Sequence, residues 1–456
     1  MSKKNIVNQQ GRKPQKPKQA GQNKAGGKPV SKNNNLWYAN PFILAGIIAA
    51  VTFLLFLPAL QNGFVYDDEI YAVNNPLLAD LSFSGIKNIF SQYYFGNYHP
   101  LTILSLAIDY NIFGTGAAGF HFTNIFLHSI AVFFVFIFVY KLSSSAPASI
   151  VAALLFGISP LHVESAAWIS SRKDLLYGLF FVLSLIFYLK YKFPSFEKVE
   201  KNISPFEKVE KNISPFEKGG LRGISQNSNK EQNSSNNNLF FYIISLIFFI
   251  FSCLSKAMGV MLPVILILID ILQNKKLSIK LLIDKIPFFV VSLVLGLIAI
   301  DAQSALGGIK ESPAAPIFDK IILWLYGIFF YIYKMAIPTG MSANYSAPIE
   351  QGGGLQPIAY IGAFVIILSI FLIIYYYKKT KIPAFSFLFY FFCILPVLQI
   401  LPIGNAFTAD RFSYLSSIGI IYAAGTGFAF LFKFKKIQSA ATITVLIILI
   451  IFGYLA

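Results

Sequence analysis

Residues 41–60 read PFILAGIIAAVTFLLFLPAL and contain no charged side chain. A helix of about 20 apolar residues spans the hydrocarbon core of a bilayer. Only 12% of the 456 residues are charged, whereas a soluble domain has about 25%. Because lipid cannot hydrogen-bond to the backbone, segments that span a bilayer in this way form helices. The sequence therefore predicts an all-α polytopic membrane protein.

Apolar runs of similar length follow along the rest of the chain. Polar segments of varied length separate them, and we expect one membrane domain over residues 39–456. The runs lie near 41–60, 121–140, 148–162, 174–191, 239–254, 257–273, 286–302, 319–337, 357–377, 384–402, 412–432 and 438–455.

The net charge of +17 is concentrated in the tail and loops. Nine basic residues and no acidic ones lie in residues 1–35, and lysine clusters lie at 275–280, 378–381 and 433–436. This distribution follows the positive-inside rule rather than the folded basic face of a nucleic-acid binder. We expect residues 1–38 to be a disordered cytoplasmic tail that touches membrane lipids, with no nucleic-acid partner.

The direction of each crossing follows from this cytoplasmic tail. Residues 61–120 then form an outward-facing first loop, and residues 403–411 also lie outside. If 286–302 and 319–337 both crossed, the lysines at 378–381 would face outward, against the charge rule. We therefore predict about eleven crossings, with one of these two segments re-entrant or interfacial.

A low-complexity insert occupies residues 192–238. It contains a near-perfect ten-residue repeat, SPFEKVEKNI, within 195–218, followed by Asn- and Ser-rich sequence. The period is too short and too rarely repeated to indicate a solenoid. We expect a cytoplasmic loop that carries no chemistry.

Charged and polar side chains near a membrane are costly and therefore informative. In the predicted topology, the residues of this kind outside the lysine-rich loops gather on the outer side. They are Asp67, Asp68, Glu69, His99, Asp109, His121, His128, His162, Glu164, Arg172, Lys173, Asp174, Lys256, Asp410 and Arg411.

Three adjacent carboxylates, Asp67, Asp68 and Glu69, directly follow the first apolar run. They repel one another, so at least one should have a raised pKa or a cationic partner. A carboxylate at the boundary between water and lipid can act as a general base on a hydroxyl group. The alternative is a solvated turn where a helix leaves the membrane.

Arg172 and Lys173 are predicted to lie on an outer loop, where the charge rule disfavours cations. Cations in such a place suggest a bound anion, such as phosphate. The alternative is a local ion pair with Glu164 or Asp174. Lys256 and Arg411 present the same two interpretations.

His121, Asn124 and His128 are spaced by one helical turn and therefore share one face of a helix. A histidine facing lipid is unfavourable, so we expect this face to point into the bundle. Residues of this kind pack and hydrogen-bond between helices, although a metal ion is an alternative.

Together these motifs resemble those of the bacterial relatives of membrane O-mannosyltransferase-like proteins with tetratricopeptide repeats, which are GT-C class glycosyltransferases. Ser159, Ser171, Phe412 and Ser416 depart from the family's usual residues, and the repeats that normally follow the membrane spans are absent here. The matching stretches are Tyr66-Asp67-Asp68, Asn74-Asn75-Pro76, Gly96-Asn97-Tyr98-His99-Pro100-Leu101-Thr102, His121-Phe122-Thr123-Asn124, Pro160-Leu161-His162-Val163-Glu164-Ser165, Arg172-Lys173-Asp174, Ser255-Lys256 and Ala409-Asp410-Arg411-Phe412.

The resemblance implies a GT-C-like bundle that transfers a mannose-like hexose, with inversion, from a polyprenyl-phosphate donor to a hydroxyl group of a protein or glycan. The site would face outward from a bacterial inner membrane. Asp67 or Asp68 would be the base, and Glu69, Glu164 and Asp410 are further candidates. A divalent cation is possible. Candidate donor-phosphate ligands are Arg172, Lys173, Lys256, Arg411, His99 and His162.

Two other classes of function remain open. A transporter or flippase of lipid-linked sugars would use the same substrate, although transporters often contain internal repeats and none is evident. A non-catalytic membrane scaffold would need none of the acid and base candidates.

Overall fold

The computed structural model describes residues 40–194, 231–274, 278–305, 307, 316–351, 353–400 and 406–456. The predicted basic tail and the ten-residue repeat lie outside the described residues.

The sequence at the start of the first helix explains where that helix begins. Asn40 precedes it and accepts a hydrogen bond from Phe42 N through its side-chain oxygen at 2.9 Å, and Pro41 occupies the first position. Proline suits this position because a first-turn N–H has no helical partner.

Within the described residues the chain forms sixteen α-helices. They are α1 (Pro41–Phe56), α2 (Phe83–Ser91), α3 (Pro100–Phe113), α4 (Ala117–Ser143), α5 (Ala146–Gly157), α6 (Val163–Ala167), α7 (Arg172–Lys192), α8 (Glu231–Ser255), α9 (Leu262–Leu272), α10 (Ile279–Ile283), α11 (Ile286–Ala305), α12 (Ile317–Ala336), α13 (Pro357–Tyr376), α14 (Ile382–Ile394), α15 (Ser413–Leu431) and α16 (Lys435–Leu455).

Among the described helices, eight are long and apolar enough to cross a membrane, and the bent pair formed by α5 and Pro160–Ala167 gives a ninth. Two shorter apolar helices, Ala257–Leu272 and Ile382–Val397, lie at predicted crossings. The third short apolar helix, α3, lies within the first loop. The predicted all-α polytopic fold is confirmed.

Hydrogen bonds between distant residues identify the end of the bundle that carries the first loop, here called the first-loop end. Thr102 Oγ1 donates to the carbonyl of Ser255 at 2.9 Å, and Tyr93 OH donates to Asp301 at 2.7 Å. The end of α8 and the end of α11 therefore lie beside the first loop.

The opposite end, here called the lysine end, holds the lysine-rich loops. Lys381, before α14, donates to Asn274 Oδ1 at 2.9 Å, after α9. Tyr242 OH of α8 donates to the carbonyl of Asp284 at 3.0 Å. Because Lys381 and Asn274 lie together, α13 and α14 return to the same end as α9, as the charge rule predicts.

Helix α12 is the segment that does not connect the two ends. Asp319, Lys320 and Lys334 fall in every 18-residue window of it. Ile322, near its start, packs with Ala359 at the beginning of α13. Lys334, near its end, donates to the carbonyl of Gly340 at 3.0 Å, in the loop that also leads to the first-loop end. Among the described residues, α12 therefore has the contacts expected of the re-entrant or interfacial segment, and the number of about eleven crossings stays a prediction.

A network of alternating charges joins α7, α9 and α11 at the lysine end. Lys285 pairs with Asp270 at 2.5 Å and with Asp284 at 2.7 Å, and Asp284 also pairs with Lys192. The Lys285 and Asp270 side chains are fully buried. Tyr188 OH donates to Asp270 at 2.8 Å. The four charges sum to zero, as burial in a medium of low dielectric requires.

Residues 84–90 mix apolar and polar side chains, a pattern that predicts a short helix lying flat on a bilayer. The first loop contains two short helices, α2 and α3. Ser82 caps α2 by accepting a hydrogen bond from Gly85 N. Phe83 is exposed, while Ile89 of the same helix is buried. That α2 lies flat on a bilayer stays a prediction.

Candidate functional site

Asp68 fixes the beginning of the first loop to the bundle. Its side chain is buried and accepts hydrogen bonds from Ser170 N at 2.7 Å, from Ser170 Oγ at 2.5 Å and from Val65 N at 3.1 Å. Burial raises the pKa of Asp68, and the hydrogen bonds from Ser170 partly oppose that rise. Tyr66 adopts φ +49°, a left-handed conformation that is strained for a residue with a side chain. Asp68 is therefore committed to holding this turn.

Asp67 lies in a different environment, although it adjoins Asp68 in sequence. Its side chain is half-buried, and within the described part of the chain no group hydrogen-bonds to its carboxylate. It is close enough to Lys173 and Tyr71 to interact electrostatically with both. Glu69 is exposed. Of the three adjacent acids, Asp67 is thus the one that combines partial burial, a free carboxylate and a cationic neighbour.

The aromatic ring of Tyr71 contacts and positions Lys173. The Lys173 ammonium lies over the Tyr71 ring, 4.8 Å from its centroid, in a cation–π contact. The ring of His99 lies 5.4 Å from the same Tyr71 ring. Lys173 also interacts electrostatically with Asp67, Asp174, Lys256 and Arg411.

Lys256 stands at the corner between α8 and the following 3-10 turn. Its ammonium pairs with Asp174 Oδ1 at 2.5 Å, and its side chain is 15% exposed while that of Asp174 is fully buried. The ammonium group also makes cation–π contacts with the rings of Tyr177 and Phe412, whose centroids lie 5.6 and 5.4 Å away. The other oxygen of Asp174 is buried and has no hydrogen-bond partner among the described residues.

Arg411 and Glu164 form a second partly exposed pair. Arg411 donates to one oxygen of Glu164 from its side chain and to the other from its backbone N–H at 2.8 Å. The guanidinium group lies 5.1 Å from the Trp168 ring and 4.9 Å from the Phe412 ring. Two aromatic planes and a bidentate carboxylate therefore orient Arg411.

Asp410 is fixed by the loop before α13. It accepts a hydrogen bond from Ser342 N at 2.9 Å and from Tyr345 OH at 3.0 Å. Its carboxylate is buried and engaged with protein donors. Asp410 therefore ties the residues after α12 to the start of α15.

Arg172, a candidate donor-phosphate ligand from the sequence, lies between helices of the bundle. It is fully buried, pairs with Asp109, and donates to Asn124 Oδ1 at 2.8 Å and to the carbonyl of Phe120 at 2.8 Å. Further donors contact Ser105. The charge rule identified an unusual cation but could not show that α3 and α4 supply its partners. Arg172 therefore joins helices, and each of its three side-chain nitrogen atoms contacts a protein oxygen.

The four histidines are all buried, but they are not brought together as one site. His128 contacts Tyr414 OH at 3.0 Å and the carbonyl of Gly157 at 3.1 Å, while His162 contacts the carbonyl of Phe156 at 2.8 Å. These contacts stabilise the bend after α5. The predicted inward face of α4 is confirmed by the burial of His121, Asn124 and His128.

His99 is the histidine that lies near the cations. Burial, reinforced by the neighbouring Lys173 and Lys256, lowers its pKa to about 3. The ring is therefore neutral at physiological pH. Its Nε2 atom is buried without a hydrogen-bond partner among the described residues.

The described residues contain no group of three or more His, Cys, Asp and Glu side chains arranged to hold a metal ion. Sequence reasoning missed Tyr71 and Ser170, because neither side chain carries a charge that marks it as unusual near a membrane. The position of Ser170, two residues before Arg172, was the only available hint.

No protein-family profile matches the chain, but curated proteins are similar to part of it. Human "Protein O-mannosyl-transferase TMTC4" is 35% identical over 173 residues, which are 33% of this chain and 23% of the relative. The Drosophila melanogaster protein "Protein O-mannosyl-transferase Tmtc1" is 31% identical over 159 residues, covering 32% and 18%. The chain thus aligns with less than a quarter of the length of these relatives.

The apo crystal structure of the Archaeoglobus fulgidus oligosaccharyltransferase is a solved structure that aligns with most of this chain. The TM-score is 0.48 and the sequence identity 13%, over 91% of this chain and 52% of that one. The resemblance to O-mannosyltransferase-like proteins drawn from the sequence motifs is confirmed.

Proposed function

We propose that this chain is a GT-C type glycosyltransferase that moves a mannose-like hexose from a polyprenyl-phosphate donor to a hydroxyl group. The observation that carries the proposal is a half-buried carboxylate, Asp67, that makes no hydrogen bond among the described residues and lies within electrostatic range of a cation, Lys173. Lys173 itself forms no salt bridge with a carboxylate among those residues. Similarity to O-mannosyl-transferases over a third of the chain supports the same class of reaction.

Asp67 is assigned the role of general base. The acceptor oxygen attacks the anomeric carbon of the sugar while Asp67 takes the hydroxyl proton. A positioned base contributes about 10²–10⁴ in rate. Asp68 could not do this without breaking its hydrogen bonds to Ser170 and Val65, so its role is to hold the turn on which Asp67 stands.

Lys173 and Lys256 are assigned the role of binding the donor phosphate. As the bond from the anomeric carbon to the phosphate oxygen breaks, the phosphate keeps the electron pair and gains charge. Cations already in place stabilise that charge without reorganising. Arg411 is a third cation at the edge of this group, with its guanidinium group held by Glu164. Phosphate is a weak base, so the leaving group needs no proton donor.

Attack from the side opposite the phosphate would invert the configuration of the anomeric carbon. The base and the cations should therefore lie on two sides of the bound sugar. This stereochemistry is a proposal that the product's anomeric configuration tests directly.

The lysine end is assigned to the cytoplasmic face by the positive-inside rule. The first loop then faces outward from a bacterial inner membrane, and the acceptor would be a protein or glycan on that side. Membrane lipids surround the helices.

The deciding experiment uses the purified chain in lipid vesicles with polyprenyl-phosphate mannose labelled in the sugar. Transfer of label to a hydroxyl acceptor supports the proposal. Movement of intact donor between leaflets without transfer would mean a flippase. If the folded protein neither transfers the sugar nor moves the donor, the chain is a non-catalytic scaffold.

A further inference from the structure

Lys256 is held in one place by its backbone as well as by its side chain. The residue is extended, with φ −159°, between α8 and the next turn, and its N–H donates to the carbonyl of Ser252 at 3.1 Å. A Cβ atom at Gly259 would lie 3.0 Å from Cys253 N, so this corner is tight. The ammonium group can therefore move only by rotating its own side chain.

Burial works against the charge on Lys256. Its pKa is lowered, chiefly by burial, and the attraction of Asp174 opposes that fall. A buried ammonium without a partner tends to lose its proton, and a neutral amine cannot stabilise phosphate. The charged and titratable groups that face Lys256 come from four elements: Lys173, Asp174 and Tyr177 from α7, Glu164 from α6, Arg411 from the start of α15, and His99 from before α3.

Most of these groups cannot replace Asp174. Lys173 and Arg411 have the same charge as Lys256, and His99 is neutral. Glu164 is already engaged by Arg411 through both oxygens. Asp174 uses only one oxygen, and it is the acid in direct contact with the ammonium.

We propose that Asp174 is a positioning residue that keeps Lys256 protonated and directed at the donor phosphate. This inference rests on the proposed function, because it presumes that Lys256 binds the phosphate. Asp174 is fully buried and contacts the Lys256 ammonium group. It does not touch the donor. The phosphate then joins an ion pair that already exists and does not have to protonate a neutral amine.

The test measures binding of polyprenyl-phosphate mannose to the full chain between about pH 6 and pH 9. This donor is a phosphodiester, so its own charge stays constant over the range. Lys256 loses its proton as pH rises, and removing Asp174 should bring that loss to lower pH. We expect Asp174→Asn to bind near the parent level at pH 6 and about tenfold or more weakly at pH 9, the size of one charge-assisted contact.

Lys256→Arg supplies the decisive comparison, because a guanidinium group stays protonated throughout this range. Lys256→Arg and the double variant Asp174→Asn/Lys256→Arg should therefore show the same pH profile as each other, because the residue at position 256 can no longer lose its proton. Asp270→Asn is the matched control, since Asp270 is a buried carboxylate paired with a lysine at the lysine end. It should leave the pH profile unchanged, whatever it does to stability.

The outcomes separate the two proposals. If Lys256→Ala binds donor as well as the parent, Lys256 does not contact phosphate and the proposed site fails. If Lys256→Ala binds weakly but Asp174→Asn has the parent's profile, the site stands and the positioning role of Asp174 is wrong. An equal loss at every pH in Asp174→Asn would likewise refute the claim that Asp174 keeps Lys256 protonated, because a loss that does not vary with pH cannot come from deprotonation of Lys256.

Discussion

Replacing Asp67 by asparagine keeps the shape of the side chain and removes the proposed base. Within the described residues Asp67 makes no side-chain hydrogen bond, so the free energy of unfolding should change by no more than about 0.5 kcal/mol. Transfer should fall by about 10²–10⁴, which is about 2.7–5.4 kcal/mol in the activation barrier. Donor binding should largely survive, because the base does not contact the phosphate.

Asp68→Asn is the matched comparison, since it makes the same chemical change at the neighbouring position. It replaces a carboxylate oxygen that accepts from Ser170 or Val65 with an amide group that cannot accept. A hydrogen bond to a charged group is worth about 1.5–3 kcal/mol, so this variant should unfold at a lower temperature.

Both variants would be compared by single-turnover transfer and by thermal unfolding. The expected pattern is a stable, inactive Asp67→Asn and a destabilised Asp68→Asn. An Asp67→Asn protein as active as the parent would refute the base assignment. If Asp68→Asn were instead stable and inactive, the two roles would be exchanged.

Four further predictions concern other parts of the chain. Arg172→Ala should lower the free energy of unfolding by about 3–5 kcal/mol, because it leaves Asp109 buried and unpaired; thermal unfolding measures this, and a stable variant that fails to bind donor would contradict it. His99 has a folded-state pKa of about 3, below the ordinary 6.5, so its contribution to stability is present above pH 6.5 and lost as the pH falls towards 3. His99→Asn should therefore flatten the stability profile in that window, by up to about 1.4 kcal/mol per pH unit, and identical slopes would count against it. Lys285→Ala should destabilise the fold by about 3–5 kcal/mol and leave the donor affinity of the folded fraction unchanged. Deleting residues 195–230 should leave folding and transfer near the parent level, and loss of either would reveal an interaction element.

The crossings were predictable because each depends on local composition. The charge rule also required that one of 286–302 and 319–337 not cross, but it could not choose between them. Which of the two segments does not cross depends on the tertiary contacts of Ile322 and Lys334. Charge counting gave both segments the same weight, although three charged residues already distinguished 319–337.

The candidate site was less accessible to sequence reasoning. Asp67 and Asp68 are adjacent and chemically identical, and only the position of Ser170 distinguishes the free carboxylate from the anchored one. Arg172 and Lys173 are likewise neighbours, but one helix step turns Arg172 towards α4 and Lys173 towards Tyr71. The sequence identifies which residues carry charge near the membrane, whereas the pairing of those charges depends on contacts across about 50 to 250 residues.

The alternating network at the lysine end has a consequence for how the protein responds to voltage. Moving one elementary charge through 100 mV involves about 2.3 kcal/mol, so an unbalanced buried lysine would make the fold sensitive to the state of the membrane. Lys192, Asp284, Lys285 and Asp270 sum to zero within one connected chain of contacts. A uniform field therefore exerts no net force on this cluster, and a change in membrane potential should not drive it towards either face of the membrane.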